Sequence, residues 1–474
     1  MLDTVVRNGL VSTQSGPLDL DIGIQDGRIV QLKKSDTQSP LEGVRTIDAA
    51  GKTVVPGGVD PHVHTSSPMP TLGDGISSYG PDRVSMAAAF GGTTTMLDFA
   101  HWRPGDDLAE TFERKHADWR NRSYVDYGFH GTFREPEIPF DILDQVEDAV
   151  ADGHASFKVW MTNTTPDRKW QKTDIGHIWG LMERTAAANG MLCVHAEDDD
   201  IVMYAYKRLQ HEGRTALRHM SEAHNQLSEQ LSFQRVISLA GHVGAPLYIM
   251  HVSAQVGIEA IRAARGTGQP VYGECLPHYA NYSDEVYAQS NGAIYHTYPS
   301  LKASTDRDSM WGALAAGTLS TIATDSVCVD LDVKTTGKTI LDAVGGHVGV
   351  EVRMAVAYTE AVTKRGLPLE RFVDLTSRNA ARVMGAYPQK GEIAIGSDAD
   401  LVLLDTSAPH IITATELHEA DYTPWEGYVA SAWPVLTMVR GEVLVENGRL
   451  TGAPPSGRLL KRSISSSVLS RPAL

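Results

Sequence analysis

Between about residues 57 and 385 the chain alternates short apolar runs with longer amphipathic stretches, and this alternation constrains the fold more than any other feature. The runs at 94–99, 156–160, 191–194, 247–250, 271–275 and 320–324 have the length and apolar density of buried strands. The stretches at 140–151, 178–189, 225–240, 257–264 and 308–316 read as helices. Parallel strands need long crossovers between them, and helices are the usual means. The pattern therefore specifies a parallel α/β fold, and its extent predicts a (β/α)8 barrel over 57–385. No Gly-x-Gly-x-x-Gly follows a strand, which removes the phosphate loop of a dinucleotide-binding fold.

The two ends of the chain follow a different grammar. Residues 1–56 read as short strands punctuated by the turn signals Asn8-Gly9, Asp26-Gly27 and Gly51-Lys52. Near the C-terminus, 401–405 reads as a strand, and 435–439 with 443–445 as a hairpin over Arg440-Gly441. Neither end holds enough strands for a stable sheet of its own. Residues 1–56 and 386–450 are therefore expected to form one small β-sandwich domain, with the barrel inserted. Residues 451–474, polar and containing Pro454-Pro455, are expected as an extended C-terminal arm.

Charge and cysteine usage exclude some partners. A net charge of −16 over 474 residues argues against nucleic acid or an anionic membrane surface. No apolar run reaches membrane-spanning length, and Met1-Leu2-Asp3-Thr4 lacks the basic-then-apolar pattern of a secretory leader. Three unpaired cysteines, Cys193, Cys275 and Cys328, suit a reducing cytoplasm.

An apolar run from Val54 ends in His62-Val63-His64. Residues i and i+2 of a strand point to the same side, so both imidazoles can reach one metal ion. With 18 histidines in the chain, one His-x-His arises by chance. The later runs strengthen the signal, because each contains or leads into a further potential ligand: Lys158, His195, His251 and Asp325. These positions lie at strand ends, where barrel enzymes place their active sites. Lys158 differs from the others because it lies within the apolar run Ser156-Phe157-Lys158-Val159-Trp160. Desolvation would lower the pKa of its amine. A neutral amine can react with carbon dioxide to give a carbamate, an anionic ligand with two oxygens that can bridge two metals.

With these residues in view, the chain resembles the cyclic amidohydrolases of the amidohydrolase superfamily, closest to dihydropyrimidinases and hydantoinases. The resemblance is carried by Pro56-Gly57-Gly58-Val59-Asp60-Pro61-His62-Val63-His64, Gly91-Gly92-Thr93-Thr94-Thr95, Phe157-Lys158-Val159-Trp160-Met161, His195-Ala196-Glu197, His251-Val252-Ser253, Gly273-Glu274-Cys275-Leu276-Pro277-His278-Tyr279 and Gly391-Glu392-Ile393-Ala394-Ile395-Gly396. It implies a (β/α)8 barrel with a small β-sandwich. It also implies two divalent metals, zinc or alternatively manganese, a Lys158 carboxylated by carbon dioxide, and a homotetramer or homodimer. By the same resemblance His62, His64 and Asp325 hold the more buried metal, His195 and His251 hold the other, and modified Lys158 bridges them.

The implied reaction is hydrolysis of a cyclic amide or ureide by a metal-bridging hydroxide. Asp325 serves as base and then acid, and the product is a ring-opened N-carbamoyl or amido acid. Four positions depart from the family pattern. Asn163 stands where a tyrosine facing the oxyanion is usual, and Ser326 where a histidine follows the ligand aspartate. Tyr298-Pro299-Ser300-Leu301-Lys302 replaces a Ser-Pro-Pro-Leu-Arg stretch, and Val344-Gly345-Gly346-His347 occupies the place of a substrate-contacting asparagine. Asn163, Tyr298 and Gly345 are thus the expected substrate contacts. Allantoinase, dihydroorotase and other cyclic-imide hydrolases are the alternative activities, and a non-catalytic scaffold is the alternative class.

Overall fold

The computed structural model of the chain describes all residues except Thr37, Pro70, Thr71, Asp74, Lys169 and Trp170. Its centre is a parallel barrel of eight strands: β1 (Gly58–Asp60), β2 (Thr93–His101), β3 (Asp126–Thr132), β4 (Ser156–Trp160), β5 (Met191–His195), β6 (Leu247–Ile249), β7 (Val271–Cys275) and β8 (Thr321–Ile322). Neighbours in space are neighbours in sequence, the arrangement that right-handed crossovers generate. Every residue of β3, β4, β5 and β7 is buried. Covering helices shield one face and barrel packing the other, which is why β4, β5 and β7 read as apolar runs, whereas β3, Asp126–Thr132, carries Asp126, His130 and Thr132 and does not read as one.

The barrel closes where the ligand-bearing segments meet. Beyond β8, the Asp325 amide donates to the His62 carbonyl at 2.8 Å. Ser326–Val327 then pairs in parallel with Val63–His64. The Thr324 hydroxyl donates to Asp60 Oδ2 at 2.6 Å across the same seam. Closing the barrel therefore brings Asp325 against the His62-Val63-His64 segment.

The second unit is a nine-stranded sheet drawn from both chain ends. The decisive joint is Lys52–Pro56 paired antiparallel with Leu401–Asp405. Its core packs Val6, Val11, Ile22, Ile24 and Val54 from one end on Leu401, Leu403 and Met438 from the other. Two of its turns have left-handed backbone at both central residues, Asp26-Gly27 (φ 51° and 75°) and Arg440-Gly441 (φ 45° and 78°). That is the geometry that suits the twist of a tight hairpin. Asn8-Gly9 differs from the expected turn. It sits inside strand Leu2–Thr13, where the register slips between Val6 and Gly9 and Asn8 has φ 61°. It is a β-bulge, and a Cβ on Gly9 would lie 2.5 Å from Val54.

Lys390 fastens the two units together. Its ammonium lies 2.6 Å from Asp126 on β3, 2.9 Å from Asp398 and 2.8 Å from Asp400. The segment beyond Leu450, expected as an extended arm, follows the barrel to the ends of the strands opposite the ligands. Tyr127 exchanges backbone hydrogen bonds with Arg458 and Leu460. The buried Arg462 donates to Ser156 Oγ and the Met384 carbonyl, both at 3.0 Å, and to the Phe129 carbonyl. Ile464 and Val468 pack on Met191, Tyr248 and Tyr272. Among the described residues no helix is long and apolar enough to cross a membrane.

Candidate metal centre

Six side chains converge on one cavity of about 530 Å³ at the C-terminal ends of the strands: His62, His64, Lys158, His195, His251 and Asp325. His62, His64 and Asp325 each offer a ligand atom within 4.8 Å of the others, and all three are buried. Asp325 Oδ1 lies 2.9 Å from His62 Nε2 and 3.1 Å from His64 Nε2. The His251 ring is 5.5 Å from that of His62 and 4.5 Å from that of His195. Two of the six have left-handed backbone, His251 with φ 40° and Asp325 with φ 51°. Non-glycine residues pay for that conformation, and such strain concentrates at functional sites.

A shell of buried carboxylates aims the imidazoles. Glu274 on β7 accepts from His62 Nδ1 at 2.8 Å and from the His251 amide at 3.0 Å. Its other oxygen accepts from Tyr248 at 2.8 Å. Glu197 lies 2.8 Å from His195 Nε2 and 2.8 Å from His224 Nδ1. Each pairing fixes one ring nitrogen, leaving His62 Nε2 and His195 Nδ1 for the cavity.

Electrostatics prepare the set for cations. Burial lowers the His64, His195 and His251 pKa values, so these rings are neutral. Burial pushes Asp325 up, but His62 and His64 outweigh it and keep the carboxyl well below its usual range. Burial also opposes charge on His62, yet Asp325 and Glu274 raise it to about 9. Lys158 is fully buried, and burial brings it down to about 8 against the pull of Asp325 and Glu274. Its only hydrogen-bond partner among the described residues is the Met250 sulfur, at 2.7 Å. A lysine without a carboxylate, flanked by Trp160 and Phe99 at 4.9 and 6.0 Å, is suited to the neutral, nucleophilic amine. Three neutral imidazoles, an ionised carboxylate and a reactive amine around one space, with His62 able to give up its proton to a cation, fit a divalent cation site.

This geometry has close parallels. The amidohydrolase family model matches residues 53–444. The chain belongs to the amidohydrolase family. It is 32% identical to a D-hydantoinase of Geobacillus stearothermophilus, over 97% of this chain and 96% of that one. It is 33% identical to a D-hydantoinase of Ralstonia pickettii, over 97% and 99%. The crystal structure of a dihydropyrimidinase from Brevibacillus agri superposes with a TM-score of 0.91 at 31% identity, covering 98% of this chain and all (100%) of that one.

Within this amidohydrolase the expected substrate contacts are placed unequally. Tyr298 and Gly345 line the cavity. They pack directly together, since a Cβ on Gly345 would lie 2.3 Å from the Tyr298 ring. Behind them buried Lys334 donates to the carbonyls of His296 and Val344, at 2.7 and 2.6 Å, and of Gly346. Asn163, expected to face the oxyanion, is turned to other work. Its amide nitrogen lies 3.3 and 3.4 Å from the Asp199 oxygens, and its carbonyl accepts from the Gln171 and Lys172 amides at 3.0 and 3.2 Å. Its neighbours Thr164 and Thr165 face the cavity instead.

Sequence reasoning assigned no role to Glu197, Glu274 or Lys334. An acid within each of the runs His195-Ala196-Glu197 and Gly273-Glu274-Cys275 was the available signal for the first two. Nothing in the local pattern marked Lys334.

Proposed function

We propose that the protein is a metal-dependent hydrolase that opens the C–N bond of a cyclic amide or ureide, as its hydantoinase relatives do by name. The observation that carries this reading is the convergence of His62, His64, Lys158, His195, His251 and Asp325 on one cavity. We assign two divalent ions to it, zinc or manganese, with Lys158 carboxylated on its ε-nitrogen and shared between them. His62, His64 and Asp325 hold one ion, and His195 and His251 the other. When bound, the ions supply an activated water and polarise the substrate carbonyl. Asp325, ionised and beside both histidines, takes the water proton and delivers it to the leaving ring nitrogen. Glu274 and Glu197 keep the rings oriented throughout. Asn163 braces the loop after β4 rather than donating to the oxyanion. The assembly is a homotetramer or homodimer working in the cytoplasm.

The test is metal analysis of the purified protein, followed by a hydrolysis panel of hydantoins, dihydropyrimidines, allantoin, dihydroorotate and cyclic imides. The expected outcome is about two ions per chain and ring opening of a cyclic amide. A protein that binds no zinc or manganese and opens no ring would overturn the assignment.

A further inference from the structure

The cavity holds two arginines that the hydrolytic centre does not use. Arg134 lies two residues beyond β3, and its guanidinium is 4.7 Å from the Trp160 ring centroid. The Lys158 amine lies 4.9 Å from the same centroid. These two distances place the guanidinium carbon no more than about 9.6 Å from the amine, within reach of one small ring and a short substituent. Arg168 sits 5.3 Å over the Tyr298 ring, across the same cavity.

Neither guanidinium pairs with a carboxylate among the described residues. Arg134 Nε is buried with no hydrogen-bond partner among the described residues. Among the described residues the Arg168 guanidinium donates one hydrogen bond, to Thr164 Oγ1 at 3.5 Å. Elsewhere Lys390 has three aspartates and Arg353 has Asp60 at 3.8 Å, while buried Lys334 and Arg462 are each satisfied by three carbonyl or hydroxyl oxygens. Burial, and after it the Arg168 charge, push Arg134 down to about 10. Two like charges sharing a partly desolvated space, in a protein of net charge −16, are unfavourable until an anion enters. The planar fork of a guanidinium matches a carboxylate with two parallel hydrogen bonds. A neutral hydantoin or dihydropyrimidine ring leaves both forks empty.

We propose that Arg134 and Arg168 form an anion subsite, and that the substrate is a cyclic amide or ureide bearing a carboxylate on its ring substituent. The inference rests on the cyclic-amide reading above and names the substrate class of that site. Asn163 is a positioning residue for it. By tying Gln171 and Lys172 back to Asp199, it closes the loop from which Arg168 projects.

The experiment uses the metal-loaded full-length enzyme and two isosteric probes, 5-(2-carboxyethyl)hydantoin and 5-(2-carbamoylethyl)hydantoin, with dihydroorotate as a ring-borne carboxylate. The carboxylate is expected to exceed the amide in kcat/KM by about 10- to 100-fold, the size of a charge-assisted contact. Arg134→Gln and Arg168→Gln should each pull that ratio toward one, mainly through KM, with metal content retained. Asn163→Ala should reduce the ratio in the same direction. Equal use of the two probes, or a ratio that survives both arginine substitutions, overturns the subsite. A preference confined to dihydroorotate overturns the substituent assignment. If no ring opens, the cyclic-amide reading fails, and calorimetry with N-carbamoylglutamate and N-carbamoylglutamine decides the subsite separately. Equal affinities there refute it.

Discussion

Glu274→Gln isolates what the carboxylate shell contributes. Glu274 receives three hydrogen bonds within one buried pocket, from His62 Nδ1 at 2.8 Å, the His251 amide at 3.0 Å and Tyr248 at 2.8 Å. Glutamine keeps the shape, and its carbonyl can still accept from His62 and His251. Its amide group must then face the Tyr248 oxygen, which can accept in turn and still reach Thr321 at 2.7 Å. The pattern survives, but the negative charge does not. His62 loses the anion that makes its Nε2 a stronger donor, and changes of this kind weaken metal binding by about 10- to 100-fold. That range corresponds to about 1.4–2.7 kcal/mol. Because the pocket stays hydrogen-bonded, metal-free stability should change by less than that. The assay is competition with a chromophoric chelator for zinc, run beside thermal unfolding of the metal-free protein. Wild-type zinc affinity in a folded Glu274→Gln variant would refute the idea that the shell tunes the site through charge.

Lys158→Ala should bind fewer than two ions and lose hydrolysis, with short carboxylic acids partly restoring it. Full activity with two ions bound would exclude a bridging role. In the metal-free, unmodified protein Lys158 falls from 10.5 to about 8 on folding. The unfolded chain therefore binds the extra proton between those values, and stability rises with pH across that window. Relative to Lys158→Met, the gain should be on the order of 3 kcal/mol by pH 10.5. A flat difference in urea-denaturation free energies would show that the amine is not desolvated. Asp325→Asn should lower turnover by about 10²–10⁴-fold, and steady-state kinetics at matched metal content gives the answer. Lys390→Met leaves Asp126, Asp398 and Asp400 facing one another and should cost about 3–5 kcal/mol. A melting temperature equal to wild type would show that the latch between the units is dispensable.

The clustering of the six candidate ligands was legible because their placement follows rules of period and position. The two-residue spacing of His62 and His64 brings both rings to Asp325, and His195 and His251 end or follow strands that read as apolar runs. Lys158 was legible as a charge within a fully apolar run. The sheet from the chain ends was legible through Asp26-Gly27 and Arg440-Gly441, whose turn chemistry is local. Asn8-Gly9 carries the same local signal and forms a bulge instead. Its pairing is decided by Val54 and the partner strand, far away in sequence. In the polar tail Ser463, Ser465 and Ser466 are exposed, while Arg462 beside them is buried because three groups of the barrel unit accept its protons.

Specificity was harder to read than chemistry because it depends on what a side chain lacks. An arginine after a strand, as at Arg134, ordinarily reads as a solvated strand end. Only the folded cavity shows that its neighbour is Trp160, that no described carboxylate pairs with it, and that Arg168 faces the same space. Asn163 makes the same point from the other side. Its offset from Lys158 suggests an oxyanion donor, but Asp199, at the start of the helix after β5, claims its amide group. With Asn163 committed to the loop, selectivity for the substrate falls to groups that are free to meet it. On the proposed reading those groups are Arg134, Arg168 and the Tyr298–Gly345 wall, with Thr164 and Thr165 in the same lining.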